Sequence, residues 1–114
     1  MRLSLETDGP LAALRVADAM TLGETEQLAG YLRVARENGA VRCLVDFSEC
    51  TEAPTTLLPL LLRETATFRD AGGALVLTGV REQNPFLAEA VAAEKLTHLP
   101  SFDEAIAKER ARRV

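Results

Sequence analysis

The chain has no tryptophan, one tyrosine, one histidine and two cysteines among its 114 residues. Each scarcity removes a class of chemistry. His98 stands between Thr97 and Leu99 with no second histidine to share a metal or complete a nucleophilic triad. Cys43 and Cys50 are too far apart for a CxxC redox or zinc pair, and Cys43, inside an apolar run, reads as a small core residue. No cofactor is therefore expected. The longest apolar cluster is a leucine run broken by Pro59, well short of the roughly 20 apolar residues that cross a bilayer. Positive charge is scarce too: 13 Lys and Arg against 17 Asp and Glu give a net charge of -4, with no basic stripe to neutralise nucleic-acid phosphates. The one basic segment, Lys108 to Arg113, reads as the solvated end of a last helix, where cations suit the helix dipole. Glu6 and Asp8 stand where a signal peptide would be apolar, so the expected location is cytoplasmic.

What the chain does have is 47% hydrophobic and 26% charged residues, the balance of one globular domain over residues 1–114. Leu3 to Thr7 and Leu11 to Ala17 have strand character and flank the turn signal Asp8-Gly9-Pro10, which predicts an N-terminal hairpin. Thr21 and Glu24 have capping-box spacing, and Leu28, Leu32 and Ala35 then recur at helical intervals until Asn38-Gly39. Val41 to Phe47 is almost wholly apolar, as a strand buried on both faces would be. A second helical pattern through Leu58, Leu61, Thr65 and Phe68 stops at Ala71-Gly72-Gly73, and Ala74 to Val80 reads as another buried strand. Asn84-Pro85 opens a short helix as N-cap and first helical residue, Leu96 to Leu99 forms a short strand, and Ser101 with Glu104 caps a final helix whose inner side carries Phe102, Ala105 and Ile106.

The resulting order, β-β-α-β-α-β-α-β-α, predicts an α/β fold with a mixed, largely parallel sheet of four or five strands. With the LVDFS strand end, the AGGALVLTGV strand and the terminal LPSFDEAIA, this order resembles the STAS domain of bacterial anti-sigma factor antagonists across nearly the whole chain. The family typically carries D-S-S-G between the buried strand and the next helix, and its second hydroxyl residue is phosphorylated by a partner kinase that is itself the anti-sigma factor. Pro54, Thr55, Thr56 and Leu57 occupy those four positions here, so the acid and the glycine are replaced. An aspartate common at the start of the family's first helix corresponds to Thr21. The resemblance implies Thr56 as phosphoacceptor with Thr55 as the fallback.

The residues of this loop carry their own signal. Proline is tolerated only in the first turn of a helix, so Pro59 confines the helix start and predicts Thr56 as its N-cap, hydroxyl turned toward free backbone N–H groups. If Leu58, Leu61, Thr65 and Phe68 face inward, Leu60 faces outward near Arg63 and Thr67, and with Thr21, Thr55, Thr56 and Leu57 it makes a candidate partner surface. Asp46, Glu49 and Glu52 read as solvated loop carboxylates without a basic partner. The expected function is thus non-enzymatic: binding of a protein partner, an anti-sigma factor kinase, with no nucleic acid and no membrane insertion. The alternatives are a soluble regulatory subunit of a membrane transporter and a module that binds a small apolar ligand.

Overall fold

The computed structural model describes residues 1–81 and 84–112. Five strands and four helices alternate after an opening hairpin: β1 (Arg2–Asp8), β2 (Leu11–Ala19), α1 (Thr25–Glu37), β3 (Arg42–Glu52), α2 (Leu57–Asp70), β4 (Ala74–Thr78), α3 (Pro85–Ala92), β5 (Thr97–Leu99) and α4 (Phe102–Ala111). The sheet runs β1-β2-β3-β4-β5. Its first pair is antiparallel and the other three are parallel, with Cys43 opposite Leu75 and Val45 opposite Leu77 in the β3–β4 register. The expected mixed, largely parallel sheet is thus the observed one, and the two apolar runs lie side by side inside it.

Alternation along the strands separates two apolar layers. Leu14, Val16, Cys43, Val45, Phe47, Leu75 and Leu77 face α1, α2 and α3, whose Leu28, Leu32, Leu61, Phe68 and Leu87 close the larger core. Leu11, Ala13, Leu44 and Val76 point the other way, onto Ala105, Phe102 and Ile106 of α4. Arg15 lies on the α4 side of the same sheet, with its guanidinium 4.0 Å from the centre of the Phe102 ring.

Helix ends follow local chemistry. In α1, α2 and α3 the two residues after the C-cap turn their N–H groups back onto the last turn: Ala40 to Ala35 and Gly39 to Arg36, Gly73 to Phe68 and Gly72 to Arg69, Lys95 to Ala90 and Glu94 to Val91. The left-handed position in this motif is Gly39 or Gly72 in the first two helices but Glu94, at φ 59°, in the third. A non-glycine residue there carries the steric cost of the left-handed region. Gly73 is required for a different reason: a Cβ on it would overlap the carbonyl of Val41, which accepts the Ala74 N–H at 3.1 Å where α2 turns into β4.

Three local expectations need correction. β3 does not stop near Phe47 but runs to Glu52, because two register shifts against β2 let the bulged strand keep pairing past Asp46. Asp46, in register with Arg15 and Thr78 ahead of those shifts, is buried rather than a solvated loop residue, accepting hydrogen bonds from the hydroxyls of Ser48 (2.7 Å) and Thr78 (2.8 Å). Glu49 and Glu52 are exposed as expected. Asn84 precedes α3 at the N-cap position, but its side chain accepts no cap hydrogen bond and is buried with both polar atoms unpartnered among the described residues, while its carbonyl takes the Leu87 and Ala88 N–H groups. Ser101 does cap α4, accepting from the Glu104 N–H at 3.4 Å. Of the basic tail, Arg112 pairs with the buried Glu109, and Arg113 lies outside the described residues.

Glu94→Gly is expected to raise stability by about 1 kcal/mol by relieving the left-handed residue, and Gly73→Ala to lower it by about 3 kcal/mol through the clash with the Val41 carbonyl. Urea unfolding of both variants measures this. Equal midpoints for Gly73→Ala and wild type would contradict the close approach.

Candidate functional site

The loop from Ala53 to Thr56 carries the chain from β3 into α2. Its backbone is already turning before the helix begins, with the Leu57 N–H donating to the Pro54 carbonyl at 3.0 Å and the Leu58 N–H to the Thr55 carbonyl at 3.2 Å. Pro59, the third helical residue, has no N–H to satisfy. The helix starts where the prolines confine it, at Leu57.

Thr56 occupies the N-cap position, yet its hydroxyl does not cap. Capping needs an extended backbone at that residue, whereas Thr56 has φ -63° and ψ -16°, already helical. The turn bonds and the proline also leave nothing to cap at the first three helical positions. The Thr56 hydroxyl instead lies 3.1 Å from that of Thr25, the first residue of α1. Thr55 and Thr56 are both exposed, while Thr25 is buried.

Two expected surface residues are withdrawn from the surface. Leu60 is buried rather than outward, and Leu57 is buried completely. The inward stripe of α2 is Leu57, Leu60, Leu61, Glu64 and Phe68, because this helix packs against α1 as well as the sheet and needs a wider apolar face than one row supplies. Leu58 is half-buried, and Thr65 turns its hydroxyl onto the Leu61 carbonyl at 2.7 Å. Leu62 is the leucine of this helix that is exposed. Thr21 is exposed at the start of a 3-10 turn over Leu22–Glu24, and both its N–H and its hydroxyl donate to the Glu24 carboxylate, at 2.7 and 2.8 Å. These donors hold the Glu24 carboxyl below its ordinary range, the backbone N–H contributing most.

The residue that sequence reasoning missed is Thr25. Its signal was legible in retrospect: Thr25, Leu28, Leu32 and Ala35 form the buried stripe of α1, so a hydroxyl sits where an apolar residue would continue the pattern. Between the two helices lies an open hollow of about 360 Å³ lined by Thr25, Glu26, Thr56, Pro59, Leu60 and Arg63, with Leu22 at its rim. A second hollow of about 490 Å³ shares Glu26 and Arg63 and extends along the groove to Arg33, Arg36 and Glu64. Glu64 is buried and paired with Arg36, which tethers α2 to α1 beside the site.

The remaining reactive side chains are elsewhere. Burial pushes the Cys43 thiol up to about 12, and burial also raises Cys50, so neither is an activated nucleophile. His98 on β5 accepts the Val80 N–H at its Nε2 at 3.3 Å. Among the described residues no cluster of His, Cys, Asp and Glu could hold a metal ion, and no helix is long and apolar enough to cross a membrane.

No protein-family model matches the sequence, and no curated protein matches it. Solved structures do. The anti-sigma factor antagonist SpoIIAA in its unphosphorylated form superposes with a TM-score of 0.78 over 99% of this chain and 100% of its own, at 14% identity. A structure of SpoIIAA from Bacillus in the phosphorylated form gives 0.76 over 94% and 98%, at 13% identity. A putative anti-sigma factor antagonist from Thermotoga maritima gives 0.79 over 95% and 94%, at 10% identity. The chain has the STAS fold. The murine anion transporter Slc26a9 contains a matching region as well, with a TM-score of 0.69 over 93% of this chain and 18% of the transporter, at 10% identity. In the STAS fold of this chain the strands follow one another in order across the sheet, so no reversal of strand order opens the crevice in which many α/β sheets bind ligands. The hollow beside Thr56 lies between two helices on one face instead.

Two outcomes test this part of the structure. Arg36→Met is expected to cost about 3 kcal/mol by leaving the Glu64 carboxylate buried without its cation, with Arg36→Met/Glu64→Leu recovering most of it in a double-mutant cycle. For His98, burial lowers the pKa below 6.5 in the folded chain. The unfolded chain then takes up the proton more readily, so stability is intact above that value and falls as pH drops through it toward the folded pKa. His98→Gln, which keeps an acceptor for Val80, should flatten the stability profile between pH 7 and 5; an unchanged slope in urea titrations would contradict the assignment.

Proposed function

We propose that this STAS domain acts by binding a partner protein as an anti-sigma factor antagonist, that the partner is an anti-sigma factor kinase, and that Thr56 is the switch residue. The observation that carries this reading is the exposed Thr55–Thr56 pair at the entry to α2, in a fold shared with a protein solved in phosphorylated and unphosphorylated forms. The replaced motif residues are compatible with it. Leu57 stands where the family has glycine, but its side chain is buried beneath the loop and does not project toward an approaching partner. Pro54 removes an acid and, through its carbonyl, anchors the turn that presents the threonines.

The transfer is simple in atoms. The Thr56 Oγ1 bonds to the γ-phosphorus of ATP held by the kinase, the bond from that phosphorus to the bridging oxygen breaks, ADP leaves, and the hydroxyl proton passes to solvent. The modified side chain carries about -1.5 to -2 charges at neutral pH. No catalysis by this chain is part of the reading. A second reading, a regulatory domain for a membrane transporter, draws on the likeness to the Slc26a9 region and uses the same surface for a different partner.

Incubation with the cognate kinase and ATP is expected to add one phosphate, abolished by Thr56→Ala and retained by Thr55→Ala, and to weaken the complex by tenfold or more, a loss of about 1.4 kcal/mol or greater, as the new dianion meets the partner surface. Thr56→Glu should reproduce only part of the loss, having less charge and fewer oxygens. Intact-mass spectrometry and a binding titration check both points. Equal binding by wild type and Thr56→Glu, with no phosphate transferred, would replace the switch with constitutive binding.

A further inference from the structure

A phosphate at a helix N-terminus is ordinarily held by free backbone N–H groups. At α2 those donors are spent. The Leu57 and Leu58 N–H groups are committed to the Pro54 and Thr55 carbonyls, and Pro59 has none. A phosphoryl group on Thr56 must find side-chain donors, and the hollow between α1 and α2 supplies two: the Thr25 hydroxyl, already 3.1 Å from the Thr56 hydroxyl, and the guanidinium of Arg63.

Arg63 follows Thr56 by seven residues, which on an α-helix returns to the same face about 10.5 Å along the axis. Helical side chains lean toward the N-terminus, so a long arginine spans much of that interval. The other groove arginines have partners: Arg36 is paired with Glu64, and Arg33 lies 4.0 Å from Glu37. Arg63 forms no ion pair among the described residues and is exposed. Glu26, on α1, lines the same hollow and opposes an anion there.

We propose that Arg63 is a built-in latch for phosphothreonine 56: its guanidinium engages a phosphate oxygen while Thr25 donates to another, drawing the dianion into the α1–α2 hollow and holding the modified surface in one arrangement. The proposal rests on the reading of Thr56 as the acceptor, and concerns the state that follows transfer.

Phosphothreonine installed at position 56 during translation tests the latch without any kinase. The second ionisation of the phosphate, ordinarily near pH 6, is followed by phosphorus NMR. In the wild-type background its midpoint should lie below that of the same protein unfolded in urea. Arg63→Gln should raise it by about half a pH unit, Arg63→Lys should keep most of the lowering, and Glu26→Gln should lower it further. The urea midpoint of unphosphorylated Arg63→Gln should match wild type, because the side chain is exposed. Superimposable phosphorus titrations for wild type and Arg63→Gln would overturn the latch. A kinase that leaves Thr56 unmodified would reject the acceptor assignment and leave this measurement standing, so the two failures are separable.

Discussion

Everything in this domain depends on the parallel pairing of β3 with β4. Cys43 to Asp46 and Leu75 to Thr78 are buried on both faces of the sheet, so neither strand can be stable unless helices cover both sides. Parallel strands also require a crossover between them, and α2 is that crossover. The close approach of Gly73 to the Val41 carbonyl is the point where the return from α2 meets the start of β3. A larger residue there would push α2 and β4 away from the strand they both serve.

The polar interior is organised around the same strands. Asp46 accepts the Thr78 hydroxyl across the β3–β4 pair on the α4 side of the sheet, and Arg42, at the beginning of β3, pairs with the buried Glu109 of α4 at 2.7 Å. On the opposite side, Glu64 of α2 holds Arg36 of α1. A buried carboxylate with its cation contributes little net stability, but losing one partner is costly, so these pairs specify which helix packs where more than how tightly. The side chain of Asn84 is the exception: it is buried, with no partner for either polar atom among the described residues. Such a group costs free energy that the surrounding apolar packing must offset.

The candidate site inherits its form from these constraints. Bulging lets β3 run to Glu52, which leaves only Ala53 to Thr56 to reach the helix. A loop this short, with Pro54 at its second position and Pro59 in the first helical turn, has little conformational freedom. It presents two threonines to solvent while their backbone neighbours are already hydrogen-bonded. The hollow beside them exists because α1 begins one turn after Thr21 and sets Thr25, not Thr21, against Thr56.

Element order, the two central strands, the crossover helices and the start of α2 were all legible in the sequence, because each rests on local chemistry: apolar runs of strand length, helical periodicity, glycine stops and prolines that forbid a helix interior. Thr56 could be placed at the helix start on the same grounds, whereas the pairing with Thr55 as candidate acceptors came from the resemblance to the STAS motif. What the sequence could not supply was which way side chains turn once elements pack. Leu60 reads as outward if α2 has one buried row, and is buried because α1 adds a second contact face. Asp46 reads as a loop carboxylate, and is interior because β3 pairs it between Arg15 of β2 and Thr78 of β4. The Thr56 hydroxyl reads as a cap, and instead meets the Thr25 hydroxyl because turn bonds and Pro59 had already satisfied the helix start. The meeting of Thr25 with Thr56, 31 residues apart, is likewise a product of the α1–α2 contact. Local pattern decided what each segment is; only the packing of one helix against another decided which of its side chains face the site.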